Sequence, residues 1–415
     1  MATSIESLLK YADSTISDAL NDALSGRKIS SMQGEALLGA KGLDFHLVGM
    51  VADKLRQRSV GDTVTYVVNR NVNFTNVCVK QCGFCAFSRD FREEQGYMLP
   101  VDEIVRRAKE AHDIGITEVC IQAGLPPDMK GDLYESICSA IKTEIPDMHI
   151  HGFSPEEVLY GALKNNTSVL EFLKRLKEAG VDTLPGTAAE ILDQEMRDRI
   201  SPGRITVKQW IDVIKSAHSL GIHTTCTMMF GHGESAGHQA RHIELLRDIQ
   251  DETRGFTEFV PLGFVHDEAP MYHNGKCKST GASATDVMLT HAVSRIMLND
   301  SIKNIQMSWV KEGQKMAQIL LSWGANDFGG TLINESISTS AGSKHGQLLR
   351  PSQIRSLVRQ IGRRAAERNT MYKILRTFDD NESHDLLDNA DSTSFGSYFE
   401  LVKAKQFRYK NDHVT

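Results

Sequence analysis

This 415-residue chain has no apolar run approaching the roughly 20 residues that a membrane-spanning helix requires. Met1 to Asp22 is polar and acidic, without an apolar stretch behind basic residues, so no secretory signal is expected and a cytoplasmic location is. Excess positive charge is missing too: the net charge is −6, which argues against a general nucleic-acid binder. No stretch rich in proline, glycine or serine separates two domains. Cysteine is scarce, and seven in a chain this long do not make a disulfide framework. What remains is a globular balance, 40% hydrophobic and 24% charged, able to bury a large core.

Helices are marked by their ends. Val101–Ile114 follows Pro100 and stops at Gly115, Val169–Ala179 stops at Gly180, and Val207–Leu220 stops at Gly221. Each carries apolar residues at helical spacing, with glycine where a left-handed residue would end it. A β-rich run follows each glycine: Thr117–Gln122, Val181–Leu184 and His223–Phe230. Further strands are expected at Tyr66–Asn73, Met148–Phe153, Glu258–Phe264, Asn304–Ser308 and Gly324–Phe328. Ser154-Pro155-Glu156-Glu157 supplies a cap, a proline at N1 and acidic residues for the first turn of a helix.

Eight strands alternating with helices imply an α/β fold with a closed (β/α)8 barrel; six units in an incomplete barrel is the alternative. The expected divisions are an N-terminal helical segment over 1–60, the barrel over 61–350, a closing helix over 351–377 (Ser352–Arg376 at its centre) and a polar tail over 378–415, poorly ordered in part. In such a barrel the active site lies at the C-terminal ends of the strands.

Directly after the first strand stands Cys78-Val-Lys-Gln-Cys82-Gly-Phe-Cys85. Thiolates suit zinc or an iron–sulfur cluster. Structural zinc needs a fourth ligand, and the loop has no further cysteine and no histidine. A cubane held by three thiolates keeps one iron open to a small molecule.

The C-x3-C-x2-C spacing, with Phe84 before the last cysteine, resembles the signature of the radical S-adenosylmethionine (SAM) superfamily. In those enzymes SAM chelates the open iron of a [4Fe-4S] cluster and is cleaved to a 5′-deoxyadenosyl radical. The wider segment Asn69-Arg-Asn-Val-Asn-Phe-Thr-Asn-Val-Cys78 through Cys85-Ala-Phe-Ser-Arg-Asp90 closely resembles the second subunit of FO synthase. So do Leu184-Pro-Gly-Thr-Ala-Ala-Glu190, Phe259-Val-Pro-Leu-Gly-Phe264 and Gly324-Ala-Asn-Asp-Phe-Gly-Gly-Thr-Leu-Ile-Asn334-Glu335-Ser. Radical SAM enzymes of the futalosine route to menaquinone are the nearest alternative.

The resemblance implies a transferase. It takes a hydrogen from the amino group of L-tyrosine, breaks the Cα–Cβ bond and joins the 4-hydroxybenzyl fragment to 5-amino-6-(D-ribitylamino)uracil. A companion radical SAM subunit, subunit 1 (CofG), then closes the deazaflavin ring. The cysteine loop occurs once in this sequence, so the companion is expected to be a separate protein. An external electron donor is also implied.

The resemblance further suggests that the backbone of Gln122-Ala123-Gly124 holds the SAM ammonium group, although the triplet departs from the usual Gly-Gly-Glu; an ordinary turn explains it as well. Glu190 is expected near the SAM ribose hydroxyls, or else as a first-turn glutamate. His151, Ser154 and Glu156 surround the end of the third strand and are candidate substrate contacts, with capping enough to explain Ser154. Asn326, Asp327, Asn334 and Glu335 cluster at the eighth strand, where they suit the uracil edge, the ribityl hydroxyls or the tyrosine ammonium group. Gly231-His232-Gly233-Glu234 should line the barrel mouth. His238 and His242 read as a solvated helix face. Cys120, Cys138, Cys226 and Cys277 read as packing. Arg355, Arg359 and Arg363 share a helix face that suits solvent, the acidic run Asp379–Asp391 or the companion.

Overall fold

A computed structural model describes residues 5–378 and 385–409. Its strands are β1 (Thr63–Val67), β2 (Asn69–Val72), β3 (Glu118–Ile121), β4 (His149–Gly152), β5 (Thr183–Leu184), β6 (His223–Phe230), β7 (Phe256–Gly263), β8 (Asp327–Gly330), β9 (Arg364–Arg368) and β10 (Ile374–Phe378). Parallel pairing runs unbroken from β2 through β7. The wall continues by single bridges from Phe259 to Ile305 and from Gln306 to Asp327. β8 then pairs parallel with β1, and Arg70 of β2 bridges to Ile333. Since β1 and β2 are consecutive parts of one segment, the ring of eight walls closes.

The seventh wall, expected as a strand over Asn304–Ser308, is reduced to its two bridging residues. The Asn326 side chain accepts from the Ile305 N–H at 2.9 Å, taking a donor that a ladder would use. The eighth strand lies slightly later than the expected Gly324–Phe328.

The outer helices form where the pattern places them. Val101–His112 and Val207–Ser219 are followed by Gly115 at φ 84° and Gly221 at φ 72°, a region that glycine enters without strain. The helix Pro155–Lys164 opens with a reciprocal cap: Ser154 Oγ accepts from Glu157 N at 3.3 Å, and the Glu157 carboxylate accepts from Ser154 N at 2.8 Å. Four helices precede the barrel, Ile5–Leu9, Ser14–Leu24, Ser31–Leu38 and Gly42–Val60, and bury Leu20, Val48 and Val51 against it. No helix among the described residues is long and apolar enough to cross a membrane.

The expected closing helix over Ser352–Arg376 is not what forms. A helix spans Pro351–Gln360, and β9 and β10 follow as a hairpin. The reason lies in β1. β3 meets the first wall only along β2, which leaves the β1 edge opposite β8 without a barrel strand. β9 fills that edge in parallel, from Thr63 opposite Arg364 to Tyr66 opposite Glu367. It satisfies backbone groups that burial would otherwise strand.

The expected polar tail is corrected in part. Residues 379–384 and 410–415 lie outside those described, but 385–409 pack on the barrel. Leu387, Phe395, Tyr398 and Leu401 are buried there, and Arg355 joins Asp388 at 3.1 Å and also Asp385. Four apolar side chains anchor this segment despite its charge.

Candidate active site

The barrel encloses a cavity of about 390 Å³. Cys78, Cys82 and Cys85 line its upper end, after the first wall; Glu118, Glu258, Arg368 and Thr370 line its floor.

The residues flanking the cysteines build the loop that carries them. Thr75 Oγ1 donates to Tyr97 O at 2.6 Å, and the Asn76 side chain spans Tyr97 N at 2.9 Å and Gln95 O at 3.0 Å. Cys78 N donates to Arg89 O at 3.0 Å, and Arg89 N returns to Asn76 O at 2.8 Å. The turn after β3 completes the cradle: Gly124 N donates to Thr75 O and Val79 N to Leu125 O, both at 2.8 Å. Only glycine fits at 124, because a Cβ there would stand 2.8 Å from the Val77 carbonyl carbon and 3.1 Å from that of Asn76.

Burial pushes the Cys78 thiol up and the Cys82 thiol up to about 12, with the Arg204 guanidinium pulling the other way. Such thiols lose their protons readily only to a metal. Among the described residues no three His, Cys, Asp or Glu side chains gather closely enough to hold one metal ion. A cubane does not require that, because each thiolate takes its own iron. The donor set therefore fits a cluster with three protein ligands.

The neighbouring candidates are brought to the same cavity. Phe84, Gln122, Ala123, Gly124, His151, Ser154, Glu156 and Glu190 all line it. Gln122 Nε2 donates to Thr187 Oγ1 at 2.6 Å, and Ala123 N donates to the Glu157 carboxylate at 2.9 Å. Glu190 sits at φ 40°, an uncommon backbone for a non-glycine residue, and its carbonyl accepts from Met229 N at 2.7 Å. Its Oε1 accepts from Arg204, while Oε2 has no hydrogen bond among the described residues. Arg204 also reaches Glu156 at 3.2 Å and lies 5.6 Å from the Phe84 ring centre. His151 is held neutral, its pKa lowered to about 4 by burial, and its Nδ1 meets Thr183 Oγ1 at 2.8 Å. Ser154 serves as the helix cap.

The cluster expected at the eighth strand comes apart. Glu335 lines the cavity, but Asn326, Asp327 and Asn334 do not. Asn326 is bound by Arg295 at 2.8 Å, inside the wall. Asp327 is taken by Arg368 at 2.6 and 2.9 Å and by Thr65. Asn334 faces outward to Arg70 at 3.0 Å and to the 395–396 backbone. Pairing within the protein takes up the polar atoms of all three. His242 is not solvated either: it is buried, accepts from Leu192 N at 2.9 Å and meets Thr227 O at 3.0 Å. His238 pairs with Ser235 at its helix start. His232 is buried outside the cavity lining.

Sequence reading missed Arg204, Lys311, Glu258 and Arg368, all of which line the cavity. Lys311 and Glu258 carried a signal, since one follows the seventh wall and the other lies inside the sixth. Arg368 carried none, because its hairpin was read as helix.

A closed parallel barrel with a three-cysteine loop after its first wall defines a radical SAM enzyme. The superfamily profile matches residues 72–246, and the profile described as "CofH/MqnC C-terminal region" matches 253–381. The 5-amino-6-(D-ribitylamino)uracil–L-tyrosine 4-hydroxyphenyl transferase of Methanocaldococcus jannaschii is 51% identical over 78% of this chain and 91% of its own length. The protein of the same name from Methanothermobacter thermautotrophicus is 48% identical over 81% and 92%. The FO synthase of Mycobacterium tuberculosis is 46% identical over 82% of this chain but only 40% of its own length. The chain belongs to the CofH family of these transferases. Membership implies a [4Fe-4S] cluster and SAM. Among solved structures, the hydrogenase maturase HydG from Carboxydothermus hydrogenoformans has a TM-score of 0.67 at 16% identity, covering 89% of this chain and 83% of that one. Methylornithine synthase has a TM-score of 0.61 at 18% identity, covering 83% and 95%. These two share the fold.

Proposed function

We propose that this chain cleaves L-tyrosine between Cα and Cβ and transfers the 4-hydroxybenzyl group to 5-amino-6-(D-ribitylamino)uracil. The observation that carries the reading is the cysteine loop set over an enclosed cavity with a polar floor, in a chain 51% identical to a transferase of that name.

Cys78, Cys82 and Cys85 hold the cluster, and Phe84 shields it. When bound, the cluster and SAM supply reductive carbon–sulfur cleavage and a 5′-deoxyadenosyl radical. The chain's own share is to bind, orient and exclude water. The backbone of Gln122, Ala123 and Gly124, pinned by Glu157 and Thr75, borders the cofactor's amino end. Glu190 offers Oε2 to ribose hydroxyls while Arg204 fixes its other oxygen. His151 and Glu335 face the substrates. A separate companion subunit completes the deazaflavin ring, and an external donor supplies the electron.

The test is anaerobic incubation of reconstituted protein with SAM, reductant, tyrosine and the ribitylaminouracil. The expected products are 5′-deoxyadenosine and the benzylated adduct. No adduct, with turnover of a futalosine-type substrate instead, overturns the reading.

A further inference from the structure

Four cationic side chains line the cavity: Lys80, Arg204, Lys311 and Arg368. Three are already engaged. Lys80 reaches Glu156 at 3.7 Å and the Gly203 carbonyl. Arg204 is held by Glu156 and Glu190. Arg368 is held by Asp327 and, at 3.4 Å, by Glu258. Lys311 Nζ has no hydrogen bond or ion pair among the described residues, although it borders the same space.

Lys311 stands on the short helix Trp309–Glu312, which Trp309 anchors by donating from Nε1 to Gly330 O at 2.9 Å. Glu335 approaches from the turn after β8. Its carboxylate accepts from Ser338 N at 2.9 and 3.0 Å, which fixes its direction. The two side chains feel each other's charge, yet they form no direct ion pair. Burial pushes the lysine down and the carboxyl up, and each acts to keep the other charged. The half-buried Lys311, which also feels the neighbouring Glu312, and the buried Glu335 face one cavity without forming an ion pair, an incomplete arrangement because charge withdrawn from water without a direct partner is costly. A zwitterion placed between them completes both halves.

We propose that Lys311 and Glu335 clamp the α-amino acid substrate, Lys311 receiving its carboxylate and Glu335 accepting from its amino nitrogen. This rests on the transferase reading, and it names the residues that hold the amino-acid end of tyrosine. Their place after the seventh and eighth walls sets that end beside the first wall, which carries the cysteine loop. SAM, whose own amino and carboxylate groups bind the open iron in this superfamily, does not need the clamp.

Equilibrium dialysis under anaerobic conditions tests it, with cluster-loaded, SAM-saturated protein and three probes: tyrosine, tyramine, which lacks the carboxylate, and 3-(4-hydroxyphenyl)propionate, which lacks the amine. Losing one charge-assisted contact weakens binding by roughly 10- to 100-fold. The wild-type chain should bind tyrosine more tightly than either analogue by that factor. K311M should lose the preference over tyramine, and E335Q the preference over the propionate. K311R, which keeps the charge, should retain most of the first preference and separates charge from fold. Iron content and thermal midpoint report folding independently of ligand. K311M that keeps the full preference for tyrosine over tyramine overturns the clamp, as does K311M that loses affinity for SAM instead. Wild-type protein that binds none of the three probes overturns the transferase reading itself.

Discussion

Replacing Gly124 by alanine tests how the cavity positions its cysteine loop. The added methyl would stand 2.8 Å from the Val77 carbonyl carbon, where ordinary contact begins near 3.4 Å. The obstructing atoms are backbone and cannot rotate away. Either the loop or the turn after β3 must retreat by about half an ångström or more. That movement breaks the hydrogen bond from Gly124 N to Thr75 O, and with it the register of the segment that carries Cys78. Overpacking of this kind costs about 1–3 kcal/mol. Displacement near a reacting centre by about an ångström can cost 100-fold in rate. We expect G124A to unfold at lower urea concentration and to release 5′-deoxyadenosine some 10- to 100-fold more slowly per bound cluster. G39A is the control. Its methyl would meet its nearest neighbour at 3.4 Å, far from the cavity, and should change stability by less than about 0.5 kcal/mol. A G124A protein with wild-type stability and rate per cluster would refute the argument that the turn holds the loop.

Alanine at Cys78, Cys82 or Cys85 should abolish SAM cleavage while circular dichroism stays that of the barrel; wild-type cleavage in any one of them after reconstitution would sink the ligand assignment. R368M leaves Asp327 and Glu258 buried without their cation and should cost about 3–5 kcal/mol in urea unfolding, partly recovered when D327N and E258Q are added. Glu157 is pushed up from 4.5 to about 7 by burial. Between those values the folded chain holds its proton more tightly than the unfolded chain, so this group's contribution to stability declines as pH rises from 4.5 to 7. E157Q should remove a decline on the order of 3 kcal/mol, and wild-type and variant stability curves that run parallel across that range would contradict it.

Much of the barrel was legible because its signals are local. Capping residues, glycine stops and β-rich runs each act over a few positions, and all eight walls are found. The cysteine loop was legible for the same reason: its three cysteines and the asparagine and threonine that tie the loop lie within one short segment. The hairpin β9–β10 was not, because its cause is remote. Arg355, Arg359 and Arg363 repeat at helical spacing, yet Arg363 follows Gly362 and leaves the helix to place β9 on the open edge of β1, some 300 residues earlier in the chain. The polar residues of the eighth strand misled in a related way. Their type suggested ligands, whereas their direction, set by pairing with Arg295, Arg368 and Arg70, decides that only Glu335 faces inward.

The hairpin also governs traffic. Thr370 donates to Glu118, Tyr372 to Glu258, and Arg368 locks Asp327, so the lower mouth of the cylinder is stoppered by side chains that, apart from the half-buried Tyr372, are almost wholly shielded. Among the described residues this base is filled, and the cysteine loop lies at the opposite end of the cavity. Cofactor, amino acid and acceptor all pass the cysteine loop on the way in, and spent nucleoside and adduct leave by the same route.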